Sequence, residues 1–200
     1  MGQAGSATRP AAPADVEAMP ARGPETQPFH RPSAGGVLMP PPTLLDLDGI
    51  DLTVVRFSRD DVYRILPQRD EFQSLDGILH LDREARAAVG FRDITADDWW
   101  ARGHLPGRPI FPGILMLETA AQLAAWISRQ CDAFDGFVAF GGVDRCKFRD
   151  AVKPPARIHF LCVGREFRTR RIICDTQALV DGVVVFEAII TGMFATYDRL

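Results

Sequence analysis

After residue 43, the hydrophobic positions of the chain fall into short alternating segments and one long apolar segment. Apolar and polar residues alternate in Phe72–Asp82 and in Glu84–Ile94, which predicts two strands of a hairpin. Between residues 136 and 195 lie further β-branched and aromatic runs, which predict three or four antiparallel strands. The segment from Pro112 to about Gln130 is apolar over almost its whole length, and this length predicts a helix.

Local turn and cap signals mark where these elements begin and end. The apolar residues of Ile50–Phe57 predict a lead-in strand or an extended segment. Ser58 followed by Asp61 is a capping-box pattern, so a short helix is expected there, ended by Pro67. The Asp-Gly pair at 181–182 lies between two apolar runs and predicts a tight hairpin turn.

The order of these elements predicts an α+β fold, with a curved antiparallel sheet wrapped around one long central helix. The folded domain is expected to span residues 44–200. Residues 1–43 hold nine of the fifteen prolines and are rich in alanine and glycine. Such a segment buries too little apolar surface to offset the entropy of ordering, so a disordered tail is predicted.

The overall composition excludes several classes of protein. A net charge of −3 does not favour binding to nucleic acid or to an anionic membrane, and no apolar run of 18 residues predicts a membrane span. The four cysteines show neither a zinc-binding spacing nor a dense disulfide framework. We therefore expect a cytoplasmic protein with reduced thiols and no metal site.

One glutamate interrupts the apolar helix. Glu118 lies in its second turn, and Gln122 follows one turn later on the same face, where it can orient the carboxyl group. A carboxyl group in an apolar site is the kind of group that stays protonated and donates a proton at neutral pH. The alternative is that Glu118, Thr119 and Gln122 form a polar stripe that faces solvent or a buried water.

The loop before this helix contains His104 and three prolines at three-residue spacing, which stiffen it. Gly113 allows close approach of the backbone and brings an unpaired N–H to the start of the helix, where an oxyanion can be bound. Each feature alone also fits a rigid surface loop. Together with Glu118 they supply a base, an oxyanion donor and an acid, which removal of an α-proton and loss of a β-hydroxyl require.

The stretch "GHLPGRPIFPGILMLETAAQ", residues 103–122, resembles the signature of the hotdog-fold 3-hydroxyacyl-[acyl-carrier-protein] dehydratases. In that family the histidine of the loop and a glutamate fourteen residues later are catalytic, and His104 and Glu118 have this spacing. The likeness extends to "ILPQRDEF" upstream and "FGGVDRCKFRDAV" downstream, over roughly residues 60–195.

The resemblance implies a hotdog fold and a homodimer whose active sites lie at the subunit interface, with His104 of one protomer facing Glu118 of the other. It implies that His104 removes the α-proton of a (3R)-hydroxyacyl thioester and that Glu118 protonates the departing hydroxyl. Gly113 would polarise the thioester carbonyl, and Gln122 would support Glu118. The product would be a trans-2-enoyl thioester in fatty-acid or related acyl biosynthesis.

The same resemblance implies no metal or redox cofactor, because the acyl chain arrives on the phosphopantetheine arm of acyl carrier protein. The chain would enter an apolar tunnel, for which Leu105, Phe111 and Pro112 are candidate lining residues. Further assembly into a trimer of dimers is known in the family and is left open here. The family usually has phenylalanine at the position of Leu105, and Gln68 also departs from the common pattern. These departures leave the acyl chain length and the pathway open.

Between Arg145 and Arg171 there are nine basic and two acidic residues, which predicts either a solvated strand face or a docking patch for an acidic carrier protein. Arg170 and Arg171 are the candidate docking residues. Two other functions remain open at this point: a thioesterase on the same fold, and a non-catalytic subunit that binds acyl thioesters. Retention of both His104 and Glu118 favours the dehydratase.

Overall fold

The computed structural model describes residues 41–131 and 136–196. The described chain begins with a two-residue strand and a short helix, continues through a β-hairpin to the long helix, and ends in four strands. The strands are β1 (Phe57–Ser58), β2 (Gly77–Asp82), β3 (Ala87–Ile94), β4 (Phe137–Phe148), β5 (Ala156–Arg168), β6 (Arg171–Val180) and β7 (Val183–Ala195). The helices are α1 (Arg59–Tyr63), α2 (Ala101–His104) and α3 (Gly113–Cys131), and a single 3-10 turn spans Asp70–Phe72.

The seven strands form one sheet in the order β1-β2-β3-β5-β6-β7-β4, and every neighbouring pair is antiparallel. The pairing register between neighbouring strands shifts at several points, and two of these shifts lie between β4 and β7. Such bulges bend strands and increase their twist, so the sheet can curve around a helix. The predicted α+β arrangement, four strands after the long helix and the turn at residues 181–182 are confirmed.

Helix α3 packs on one face of this sheet, against β5, β6 and β7. Its middle, Thr119–Ser128, is buried apart from the half-exposed Ala121, and Trp126 is fully buried beside Phe57 at a ring distance of 5.1 Å. The first turn differs from the expectation of burial on all sides, because Ile114 is 65% exposed in the single chain. One face at the start of α3 therefore lacks a cover within the described chain.

The strands also bury apolar side chains on the face that points away from α3. Leu79, Val89, Phe91, Leu161, Leu179 and Val184 form a second cluster, which alternates along the strands with the residues that face the helix. Leu44, Leu45, Leu47, Ile50 and Leu52 pack against this cluster. The N-terminal part of the domain thus covers apolar surface that would otherwise face water.

Of the two alternatives predicted for Ile50–Phe57, the strand is wrong over most of the segment, since only Phe57 belongs to a strand. The residues before this segment are held by Gln177, whose amide contacts the Leu44 N–H (2.7 Å) and the Pro42 carbonyl (3.1 Å). A segment can bury apolar side chains on a sheet without hydrogen-bonding to its strands. The hydrophobic pattern cannot distinguish such a loop from a strand of the sheet. The predicted tail, residues 1–43, lies outside the described residues except for 41–43.

The predicted capping box is confirmed, because the Ser58 side chain accepts from the Asp61 N–H while the Asp61 carboxylate accepts from the Ser58 N–H. Helix α1 ends at Tyr63, before Pro67, and the hairpin β2–β3 lies within its predicted segments. In the part of the chain that the structure describes, no helix is long and apolar enough to cross a membrane.

Candidate active site

Glu118 lies half-buried in the second turn of α3, with its carboxyl group held by the next turn of the helix. The Nε2 of Gln122 donates a hydrogen bond of 2.7 Å to Oε1 of Glu118, as the four-residue spacing predicts. No hydrogen bond to Oε2 of Glu118 is present among the described residues. One carboxyl oxygen is thus oriented by the protein, and the other is free to meet a substrate.

Gln122 is itself only 1% exposed, and its amide is saturated with hydrogen bonds. Its Nε2 also donates to the Phe72 carbonyl (2.7 Å), while its Oε1 accepts from the Tyr63 hydroxyl (2.6 Å) and from the Ser74 N–H (3.3 Å). A buried amide with all its partners cannot rotate without leaving polar groups unpaired, so the orientation of Gln122 is fixed.

His104 is the last residue of α2, and its side chain is exposed in the single chain. The turn that carries it is anchored beneath by Trp100, which packs edge-to-face on Phe111 with the ring centroids 5.2 Å apart. The Phe111 N–H donates to the Val152 carbonyl at 2.8 Å, which ties the loop to the segment after β4. The loop reverses at Gly107, where φ is +77° and glycine is the favoured residue.

Gly113 begins α3, one residue later than predicted, and precedes the N–H groups of Leu115 and Met116, which both donate to the Pro112 carbonyl (2.9 and 3.3 Å). The ring of Phe148 lies against this glycine: a Cβ on Gly113 would be 2.9 Å from both Cδ1 and Cε1 of the ring. Phe148 is 52% exposed and packs with its other side on Phe186 at 5.5 Å. A larger residue at position 113 would therefore require the ring or the helix start to move.

An apolar cavity of about 340 Å³ adjoins His104. Its lining consists of Trp99, Trp100, Gly103, His104, Pro112, Ile114 and Leu115. Of the three residues predicted for a substrate tunnel, Pro112 lines this cavity. Phe111 is 3% exposed and lies in the core under Trp100, whereas Leu105 is exposed beside the cavity and outside its lining.

Glu118 lines a different and smaller cavity, of about 60 Å³, between α3 and the strands β4, β6 and β7. Gln68, Ala121, Gln122, Val138, Phe140 and Ile172 are among its other lining residues. The Oε1 of Gln68 is buried and lacks a hydrogen-bond partner among the described residues. Among the described residues, His104 and Glu118 thus line two different cavities.

The candidate docking residues lie at the turn between β5 and β6 and at the start of β6. Arg171 and Arg168 both contact the carboxylate of Glu166, at 2.8 and 3.1 Å, while the described residues offer Arg170 no ion pair. Glu166 thus compensates part of the positive charge of this turn, and Arg170 is the arginine of the turn whose charge it does not pair.

The cysteines are free thiols, and Cys162 and Cys174 are fully buried. The hydrogen bond that the Cys162 thiol donates to Cys174, and then burial, hold the pKa of Cys162 well above its usual value, so this thiol is unreactive at neutral pH. Within residues 41–131 and 136–196, no cluster of three or more histidine, cysteine or acidic side chains has the arrangement of a metal site.

Three residues of the site lack a signal in the sequence. Tyr63 reads as an apolar position of a short helix, Phe148 as one aromatic residue of a strand, and Ser74 as a loop residue. Their partners lie far away in sequence: Tyr63 bonds to a residue 59 positions later. The proline-glycine pattern could indicate a close approach at Gly113, but it could not indicate which side chain approaches.

A helix wrapped by one curved antiparallel sheet, with site residues at the helix start and in the preceding loop, is the arrangement of the hotdog-fold proteins. In a comparison with solved structures, the dehydratase heterocomplex ApeI:P from Xenorhabdus doucetiae matches with a TM-score of 0.58. The match covers 68% of this chain and 92% of that chain at 12% sequence identity, so it supports the fold alone.

The family model described as FabA-like domain matches residues 66–189. A 3-hydroxyacyl-[acyl-carrier-protein] dehydratase FabZ from Rhizobium rhizogenes is 36% identical over 141 residues, which is 69% of this chain and 88% of that protein. The enzyme of the same name from Clostridium botulinum strain Loch Maree is 33% identical over 130 residues, 64% of this chain and 90% of the relative. The chain belongs to this FabA-like dehydratase family.

Proposed function

We propose that the protein is a hydro-lyase that converts (3R)-hydroxyacyl-[acyl-carrier-protein] to trans-2-enoyl-[acyl-carrier-protein] in fatty-acid or related acyl biosynthesis. The observation that carries the proposal is the carboxyl group of Glu118, which Gln122 holds by Oε1 while Oε2 stays open. The named activity of the FabZ relatives, at 33 and 36% identity over most of their length, supports the same reaction.

In the proposed reaction, a ring nitrogen of His104 takes the α-proton of the substrate. Negative charge then develops on the thioester oxygen, where the N–H of Gly113 stabilises it at the helix start. Oε2 of Glu118 gives its proton to the β-hydroxyl, the C–O bond breaks, and water leaves. The apolar cavity beside His104 receives the part of the acyl chain next to the reacting carbons. Every step uses side chains or backbone of this protein.

The proposed active unit is a homodimer in which His104 of one protomer faces Glu118 of its partner. Two observations support it: the two side chains line separate cavities of one chain, and Ile114 is exposed at the start of α3. Strand β4 has twelve residues and a single neighbour among the described strands. It exposes Phe140, Val143 and Phe148, so it is a long apolar edge suited to pairing with a second copy.

Acyl carrier protein is the proposed partner, with the turn around Arg170 as its docking surface. The local excess of positive charge suits an acidic carrier and would steer its approach. The phosphopantetheine arm would then bring the thioester to the site. A cytoplasmic location belongs to the same proposal, since the four cysteines are free thiols.

The decisive experiment follows enoyl formation from (3R)-hydroxyacyl-carrier substrates of short, medium and long chain. We expect turnover by the wild type, and losses of about 10²- to 10⁴-fold in His104→Ala and in Glu118→Gln. His80→Ala and Glu84→Gln are matched controls outside the site and should retain activity. A wild type that binds these substrates without turnover would favour the non-catalytic acyl-binding subunit, and release of free acid would favour the thioesterase.

A further inference from the structure

Tyr63 is a buried polar residue that the proposed reaction does not use directly. Its side chain is 5% exposed, and its hydroxyl oxygen accepts a hydrogen bond of 2.8 Å from the Leu75 N–H. Because that backbone group can only donate, the hydrogen of the phenol is free to point elsewhere. It points to Oε1 of Gln122, 2.6 Å away.

Backbone groups fix which way the Gln122 amide faces. The Phe72 carbonyl can only accept, so it must meet the NH2 group, and the Ser74 N–H can only donate, so it must meet the oxygen. The NH2 group is therefore the part of Gln122 that faces Glu118. The assignment does not depend on the position of any hydrogen atom.

The segment that provides these backbone groups is itself held in place. Nη2 of Arg59 and Nη1 of Arg92 both donate to the Gln73 carbonyl, at 3.0 and 3.1 Å. Arg92 is 8% exposed, so this anchor lies largely out of water. The frame around Tyr63 and Gln122 is consequently rigid.

We propose that Tyr63 is a positioning residue for the acid of the reaction, acting through Gln122. Its hydroxyl polarises the Gln122 amide and strengthens the donation from Nε2 to Oε1 of Glu118. When the carboxyl group carries a proton, the oxygen that accepts this bond is its carbonyl oxygen, so the proton lies on Oε2. The inference rests on the proposed function, because it assigns a role to the carboxyl group that the reaction uses.

Burial raises the pKa of Tyr63 to about 12. The phenol thus stays neutral at any pH at which the enzyme would work, and it does not exchange protons with the substrate. Its part in turnover is limited to the donation toward Gln122.

The test compares Tyr63→Phe with the wild type and with Thr176→Val. The first variant removes only the hydroxyl, while the second removes an equally buried hydroxyl that donates to the Ala188 carbonyl away from the site. Loss of one hydrogen bond predicts that kcat falls about 2- to 10-fold in Tyr63→Phe, with KM unchanged. Thr176→Val should leave both constants unchanged. Equal kcat in Tyr63→Phe and the wild type would overturn the proposal.

A double-mutant cycle tests whether Tyr63 acts on Glu118 through Gln122 or affects turnover in some other way. In a Gln122→Ala background, Tyr63→Phe should have no additional effect on kcat, because the connecting amide is already gone. If the losses in kcat from the two substitutions are additive, Tyr63 does not act through Gln122.

A measurement without turnover keeps the inference distinct from the proposed reaction. Nuclear magnetic resonance of the Gln122 side-chain amide should show slowly exchanging protons in the wild type, and a shifted signal with faster exchange in Tyr63→Phe. If the wild type is inactive on every substrate but the amide responds in this way, the proposed reaction fails and the positioning role stands. Unchanged amide signals in Tyr63→Phe would overturn the positioning role.

Discussion

His104 and Glu118 belong to the same chain but line separate cavities, one beside α2 and the other between α3 and the sheet. The proposed homodimer would bring the two side chains to one substrate, His104 from one copy of the chain and Glu118 from the other. This relationship makes the proposed homodimer testable without a structure of the complex.

Mixed dimers of His104→Ala and Glu118→Gln should recover activity that neither variant has alone. In a mixed dimer one site carries both substitutions and the other carries neither. Random exchange of subunits makes about half of the dimers mixed, so about a quarter of the wild-type activity is expected. The measurement is enoyl formation before and after the two variants are unfolded and refolded together. Activity that stays at the level of the separate variants would place both residues in one protomer.

Gly113→Ala should lower kcat/KM about tenfold or more, because the new Cβ would be 2.9 Å from the Phe148 ring and one of the two must move. The N–H that is proposed to bind the oxyanion would then be displaced. A second substitution, Phe148→Leu, makes room beside the helix start and should restore part of the loss. Full activity of Gly113→Ala would contradict the tight fit at this position.

Replacing Arg170 and Arg171 by glutamate should weaken the use of carrier-bound substrate. The reversal opposes an acidic partner, so kcat/KM for that substrate should fall roughly tenfold, mainly through association. Small thioester analogues without the carrier should be turned over as before. Since the pair of Arg171 with Glu166 is exposed, little stability should be lost.

Arg56→Glu is the control for charge reversal away from the turn: it reverses one charge where the double variant reverses two, at an exposed residue without an ion pair in the described chain. It should leave both substrates unaffected. Equal losses on carrier-bound and small substrates in the Arg170 and Arg171 variant would reject the docking surface.

Alkaline pH should destabilise the wild type more than Tyr63→Phe. The pKa of Tyr63 is about 12 in the folded protein against 10.0 for an ordinary tyrosine, owing to burial. Between these values the unfolded chain has lost the proton and the folded chain retains it, so stability falls as the pH rises. The difference should reach about 1–3 kcal/mol, and it should be absent below pH about 10.

Denaturant unfolding of both proteins across this pH range measures the effect. Tyr197, the other tyrosine, is present in both proteins and cancels in the comparison. Free-energy curves that run parallel up to pH about 12 would contradict the burial of an un-ionised phenol.

Much of the local structure could be predicted from the sequence because its causes are local. The capping box at Ser58 and the bond from Gln122 to Glu118 both join residues three or four positions apart, where helix geometry alone makes neighbours. The length of α3 follows from an apolar run that only a buried helix satisfies. The motif that identified the family lies in one continuous stretch, Gly103–Gln122.

The lead-in segment shows the limit of such patterns. A strand or an extended segment is predicted for Ile50–Phe57, yet Ile50 and Leu52 lie outside the strands and cover the second apolar cluster of the sheet. Either structure buries the same side chains, so the hydrophobic pattern is the same. Only the sheet determines whether an edge is available for pairing.

By itself, the sequence determined most of the elements of this protein, the two side chains proposed as acid and base, and the spacing that indicates the family. The tertiary structure decided which groups surround them: Tyr63 at Gln122, Phe148 at Gly113, and separate cavities for His104 and Glu118. The physical reason is distance along the chain. Contacts between residues 35 to 59 positions apart depend on how the sheet curves and where each helix packs, and no periodicity within a segment encodes them.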